Sequence, residues 1–173
     1  MRALFPGRFQ PFHLGHMAAI QWLLNKYDKV IILIGSGQES HSIYNPFTAG
    51  ERLIMIRESL KEYGVDFRKV ILFPIMESFT NKNWIRIVEM YSPPFDVIVS
   101  GSPLVCTVAK EAGYLTDQVP IFNREIYNAT RIRKLMLEKD PKWEELVPKS
   151  VYKFIKEIGG DERIREVTKS DYC

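Results

Sequence analysis

The stretch ALFPGRFQPFHLGH, residues 3–16, runs from a short apolar segment into ten residues that hold two histidines, an arginine and two glycines. Ala3-Leu4-Phe5 reads as a buried strand. Beyond it, His16–Lys26 carries Met17, Ile20, Leu23 and Leu24 on one side, the spacing of a helix. A turn between strand and helix needs glycine, proline, asparagine or aspartate for backbone reasons. It needs neither imidazole nor guanidinium. Residues 7–16 therefore carry chemistry as well as a change of direction.

The same alternation continues outward. The runs Val30–Ile34, Val70–Pro74, Asp96–Ser100 and Val119–Phe122 are apolar on both faces, as buried parallel strands are. Between them lie helical patterns at Thr48–Tyr63 (Leu53, Ile56, Leu60), Asn83–Tyr91 (Ile87, Val88, Tyr91) and Leu104–Ala112. Thr48-Ala49-Gly50-Glu51 has the pattern of a capping box. Ser102-Pro103 offers a capping hydroxyl before a proline suited to the first helical position, and Asp140-Pro141 repeats it. After Thr130 the pattern is helical only, at Thr130–Glu138, Lys142–Leu146, Ser150–Ile158 and Glu162–Lys169, with Gly159-Gly160 as a break. Such an order predicts an α/β fold: a Rossmann-like, doubly wound, parallel five-stranded sheet with right-handed crossovers and a helical C-terminal cap. The expected organisation is one domain over 1–173, with an α/β core at 1–125 and the helical part at 126–173.

Composition narrows the function classes. A chain of 173 residues with 46% hydrophobic and 26% charged residues builds a real core. Its formal charge of +3 suits anionic ligands but forms no extended basic stripe, so nucleic acid is not an expected partner. Cys106 and Cys173 make no disulfide framework, which points to a reducing compartment. The N-terminal residues lack a long apolar segment and no run approaches ~18 apolar residues, so neither a signal peptide nor a membrane span is expected. The expected location is the cytoplasm.

In such sheets ligands bind beyond the carboxyl ends of the strands, next to the point where strand order reverses. Residues 7–16 fall there. No G-x-x-x-x-G-K-[ST] occurs and no G-x-G-x-x-G opens the first helix, so two familiar phosphate loops are excluded. His13 and His16, three apart near a helix N-terminus, can face one side, and Gly15 would let a ligand approach the backbone. Together they describe a polyphosphate cradle. Two other readings stand beside it: a packed histidine pair, and a zinc site made with His41, the third histidine. Far along the chain, Tyr127-Asn128-Ala129-Thr130-Arg131-Ile132-Arg133-Lys134 starts a helix with three cations where the macrodipole disfavours them. An anion held by Thr130 and Arg133, one turn apart, would explain this. Arg131 and Lys134 read equally as a solvated face.

These motifs resemble the nucleotidyltransferase superfamily with its H-x-G-H signature, and more closely the archaeal nicotinamide-nucleotide adenylyltransferases. The resemblance rests on GRFQPFHLGH, on Gly35-Ser36-x-Gln38 followed by Ser40-His41, on NPFTAGER at 45–52, the Trp84 segment, PPFD at 93–96 and Leu146-Val147-Pro148-Lys149. It implies transfer of AMP from ATP to NMN, giving NAD and pyrophosphate, with Mg²⁺ or another divalent cation accompanying ATP. It implies no metal held by protein side chains, and a homo-oligomer, hexameric in that family. His13, His16 and Arg133 would be the catalytic group. Gly7, Arg8, Phe9, Gly15, Gly101, Ser102, Phe122, Asn123 and Thr130 would join them in binding ATP. Gln10, Gly35, Ser36, Asn81 and Trp84 would bind NMN, Trp84 by stacking on the nicotinamide ring. Read without the family, Trp84 fits a core position as well. Asn128-Ala129 stands where many relatives carry Ser-Gly, and Asn128 can cap the helix. The competing readings are a related transferase with another phosphorylated acceptor and a nucleotide sensor without turnover.

Overall fold

Among the described residues the sheet has five parallel strands, β1 (Arg2–Gly7), β2 (Lys29–Ile34), β3 (Val70–Pro74), β4 (Val97–Ser100) and β5 (Thr116–Gln118), in the order β3-β2-β1-β4-β5. The computed structural model describes residues 1–77, 83–120 and 122–170; Asn81 and Cys173 lie outside them. The chain builds β1, β2 and β3 toward one edge, then returns to lay β4 against the other side of β1. This is the doubly wound Rossmann-like order, and its reversal falls between β1 and β4. The central strands are buried on both faces, with Val30 to Ile34 all inaccessible, which explains their unbroken apolar sequence.

Helices α1 (Leu14–Lys26), α2 (Ala49–Glu62), α3 (Asn83–Tyr91), α4 (Pro103–Glu111), α5 (Ala129–Leu137), α6 (Lys149–Glu157) and α7 (Gly160–Ser170) complete the described structure, with single 3-10 stretches at Phe67–Lys69 and Pro141–Leu146. The chain forms two compact units interleaved in sequence. The sheet unit comprises Met1–Arg8, Ala19–Gln38 and Asp66–Ile121; the helical unit comprises Phe9–Ala18, Glu39–Val65 and Phe122–Cys173. The C-terminal helices thus share their unit with α2 and with the histidine loop.

The core of the sheet unit gathers Leu4, Ile31, Leu33 and Ile98 from the strands with Trp84, Ile85, Val88, Val105, Val108 and Ala109 from α3 and α4. In the helical unit α2 packs on α6 and α5 on α7. The expected capping box at Thr48 and Glu51 is present with both of its bonds. Pro148 has no side chain able to cap α6, and the Glu62 carboxylate at the end of α2 accepts from Lys149 and Ser150 N–H instead.

Several expectations are corrected. Among the described residues the fifth strand is Thr116–Gln118, which precedes the expected run Val119–Phe122, of which Ile121 lies outside the described residues: an edge strand needs few apolar residues. Lys142–Leu146 is a 3-10 stretch rather than an α-helix. Ser102 stands at the N-cap of α4, but its side chain makes no capping bond. In α2 the buried stripe is Arg52, Met55, Ile56, Ser59 and Leu60, so the helix is rotated from the Leu53 face and buries an arginine. In α3 the buried residues are Trp84, Ile85 and Val88, while Tyr91 is exposed.

Candidate functional site

In the sheet unit, the loops after β1, β2 and β4 come from neighbouring strands. Gly7 ends β1 opposite Ile34, and its carbonyl accepts from Gly35 N–H at 2.9 Å. Leu4 pairs with Ile98, so Gly7 and Gly101 lie at matching depth, each three residues further on. The turn 35–37 is pinned to the end of β3, where Ser36 N–H donates to Glu77 O at 2.7 Å and Gly37 N–H to Ile75 O at 2.8 Å. Ser36 takes a positive φ of 50°, and a Cβ on Gly37 would lie 2.7 Å from Ile75 O. That approach excludes any side chain at Gly37. A Cβ on Gly101, by contrast, would meet nothing within 4 Å. Arg8 is exposed.

In the helical unit, His13 is the residue before the first turn of α1 and His16 is its third residue. Their rings stack with centroids 3.6 Å apart and 20° between planes. Each caps the other: His13 N–H donates to His16 Nδ1 and His16 N–H to His13 Nδ1, both at 3.3 Å. The geometry is that of a capping box in which imidazoles replace the usual hydroxyl and carboxylate. It has a chemical consequence. A nitrogen that accepts from a backbone N–H carries no proton, so each ring keeps its proton on Nε2 and is a neutral donor there. Burial pushes the His13 pKa down to about 3. Burial, then the proximity of His13, also holds His16 well below the usual histidine range. Phe12 also stacks on His16, with centroids 5.5 Å apart, and Phe9 meets its ring edge-on at 4.9 Å. Phe9, held at a φ of 53°, thus walls the histidines. At Gly15 an added Cβ would lie 2.9 Å from Tyr127 Cβ and 3.1 Å from the His13 ring, so the missing side chain is what lets both approach the backbone there.

Arg133 projects from α5 and is 6% exposed. Its Nη1 donates to Gln10 O at 2.7 Å and its Nη2 to Thr130 Oγ1 at 3.3 Å. Thr130 and Arg133 do share a face, as their spacing predicts. Asn128 caps α5, its Oδ1 accepting from Arg131 N–H at 2.8 Å. Arg131 and Lys134 are exposed, bonded to Glu125 O and paired with Glu138. The cation that α5 buries near its start is Arg133.

Gln10 is held by backbone far along the chain. Its side-chain amide is 2% exposed and pairs with the backbone of Phe47, donating to Phe47 O at 2.8 Å and accepting from Phe47 N–H at 3.0 Å. Trp84 is wholly buried in the core of the sheet unit. Phe122 is half-buried and Asn123 exposed, with φ 44° at Asn123; they follow Pro120 rather than ending β5. The ring Nδ1 of His41 bonds to Ser40 Oγ at 2.9 Å. Among the described residues no group of three His, Cys, Asp or Glu side chains gathers, so the zinc reading lacks a ligand set. Sequence patterns gave no sign of the Gln10–Phe47 pairing, of buried Arg52, or of Arg163, whose guanidinium grips Glu51.

The family model described as cytidylyltransferase-like matches residues 4–135. The chain is 73% identical over 172 residues to nicotinamide-nucleotide adenylyltransferase 1 of Sulfolobus acidocaldarius, covering 99% of this chain and 98% of that one. It is 67% identical over 172 residues to the nicotinamide-nucleotide adenylyltransferase of Sulfurisphaera tokodaii, covering 99% and 100%. A bifunctional NMN adenylyltransferase/ADP ribose pyrophosphatase from Francisella tularensis, solved with AMP and a Mn ion, aligns with a TM-score of 0.75 at 25% identity. That alignment covers 99% of this chain and 53% of the other, so the chain spans about half the bifunctional protein.

Proposed function

The chain belongs to the cytidylyltransferase-like family and, within it, to the nicotinamide-nucleotide adenylyltransferases, and from that premise we propose that it transfers AMP from ATP to the 5′-phosphate of NMN, forming NAD and pyrophosphate. An oxygen of the NMN phosphate attacks the α-phosphorus of ATP in line as the bond to the β-phosphate oxygen breaks. No enzyme nucleophile takes part. The rate then depends on alignment and on stabilising charge at the transferring and leaving oxygens.

The observation that carries the phosphate chemistry is the reciprocally capped histidine pair. Two neutral imidazoles with Nε2–H donors, at the N-terminus of α1, are preset to bond phosphate oxygens without losing a proton. In this reading His16 and Arg133 stabilise charge on the departing pyrophosphate, with Thr130 adding a hydroxyl. His13 and Arg8 orient the triphosphate along Gly7, Phe9 and Gly15. Gly101, Ser102, Phe122 and Asn123 serve the adenosine end. Gly35, Ser36, Asn81 and Trp84 serve NMN, while Gln10 braces the loop. The catalytic group is His13, His16 and Arg133.

A divalent cation, Mg²⁺ in our reading, would neutralise phosphate charge. The described residues offer phosphate donors and no carboxylate cage, a donor set that fits an ion carried in on ATP's own oxygens rather than one held by the chain. By the same family reasoning we expect a cytoplasmic homo-oligomer, hexameric. The deciding assay incubates the protein with ATP, NMN and Mg²⁺ and follows NAD and pyrophosphate. Equimolar, NMN-dependent formation of both is expected. ATP binding without NAD formation would refute the proposed acceptor.

A further inference from the structure

The helical unit contains a chain of contacts that starts outside the residues matched by the family model and ends on Arg133. Arg163 lies in α7. Its Nη1 and Nη2 grip the Glu51 carboxylate at 2.8 Å each, and Nη1 also donates to Pro46 O at 3.3 Å. Glu51 is at the same time the capping-box partner of Thr48, accepting Thr48 N–H at 2.9 Å. Both groups of the pair are mostly buried, with side chains 19% and 17% exposed. Burial alone would raise the Glu51 carboxyl, but the bonds from Arg163 and Thr48 hold it below the usual carboxylate range. The segment 46–51 is therefore fixed at both ends by one guanidinium.

Between those ends sits Phe47, fully buried, whose backbone is paired on both sides with the Gln10 amide. Its ring packs so closely on the start of α7 that a Cβ on Gly160 would fall 2.6 Å from Phe47 Cε1. Gln10 then offers its own carbonyl to Arg133. From the other side Arg165, one half-turn beyond Arg163, donates to Met136 O near the end of α5, the helix that carries Arg133. Helix α7 thus holds both what Arg133 leans on and what it grows from.

We propose that Arg163 is a positioning residue for the phosphate-facing Arg133, acting through Glu51, the Pro46–Thr48 backbone and Gln10. This deepens the functional reading above and rests on its assignment of Arg133 to phosphate. A planar fork suits the role, because it fixes two carboxylate oxygens and a carbonyl at once. The effect on Arg133 is one of placement, and a misplacement of about 1 Å can cost on the order of a hundredfold in rate.

The test is a double-mutant cycle on the full chain, with Arg163→Met, Arg133→Ala and the double variant, read by binding of inorganic pyrophosphate and by kcat well below each melting temperature. Arg163→Met is expected to weaken pyrophosphate binding and lower kcat by about tenfold or more, and to add nothing in the Arg133→Ala background. An unchanged kcat, or an equal loss in both backgrounds, would overturn the proposal and assign Arg163 to stability alone. If Arg163→Met does not fold, Arg163→Lys keeps the charge while losing the fork and is held to the same two outcomes. Pyrophosphate binding does not depend on the acceptor. A wild type that binds pyrophosphate without making NAD would sink the acceptor reading and leave this cycle to be judged on binding.

Discussion

An imidazole that caps a helix with Nδ1 cannot also be a cation there without turning a hydrogen bond into a clash of two N–H groups. His13 and His16 are each in that position. The unfolded chain protonates its histidines near pH ~6.5, whereas folded His13 takes a proton only near about 3. Between those values the unfolded state binds more protons, so stability rises with pH through this window and is lost as pH falls through it. Denaturant midpoints should accordingly drop from pH 7 to pH 4, with a shallower slope in His13→Asn. Nitrogen-resolved NMR of the free wild type should show Nε2 protonated and Nδ1 bare in both rings at pH 6. Midpoints near 6.5 would contradict the capped arrangement. At this scale the sequence told which residues matter but little of how they bond. Two histidines three apart announce a shared face; their mutual capping depends on ring rotations no spacing encodes. The pairing of the Gln10 amide with the Phe47 backbone was not legible in the motif, because its partner is 37 positions away.

Elements were legible where local chemistry is decisive. The Thr48–Glu51 box and the Asn128 cap are written within four residues, and both are present. The fifth strand was misplaced because edge pairing follows β4 rather than hydrophobicity. Helix α3 raises a question of function at this scale. Trp84 is buried among Leu4, Ile98 and the apolar faces of α3 and α4, so a stacking role requires its present neighbours to admit a pyridine ring. Trp84→Ala should cost about 3–5 kcal/mol of stability, as large core aromatics do. Measured in the remaining folded fraction, its KM for NMN should rise far more than that for ATP. Equal changes in both constants would leave Trp84 a core residue only.

The whole molecule was legible as a doubly wound sheet because four apolar runs that do form strands, and the amphipathic segments between them, permit few other topologies. Its division into an interleaved sheet unit and helical unit was not. That division depends on which distant segments pack together, and the histidine loop joins helices more than a hundred residues later. The reaction assigned to this architecture needs no group on the protein to bond to phosphorus, only donors already in place. One measurement tests that directly: the configuration at phosphorus in NAD formed from ATP made chiral with sulfur at the α-position. A single in-line transfer predicts inversion. Retention would mean two successive displacements through an enzyme-bound adenylyl group, and would contradict the account.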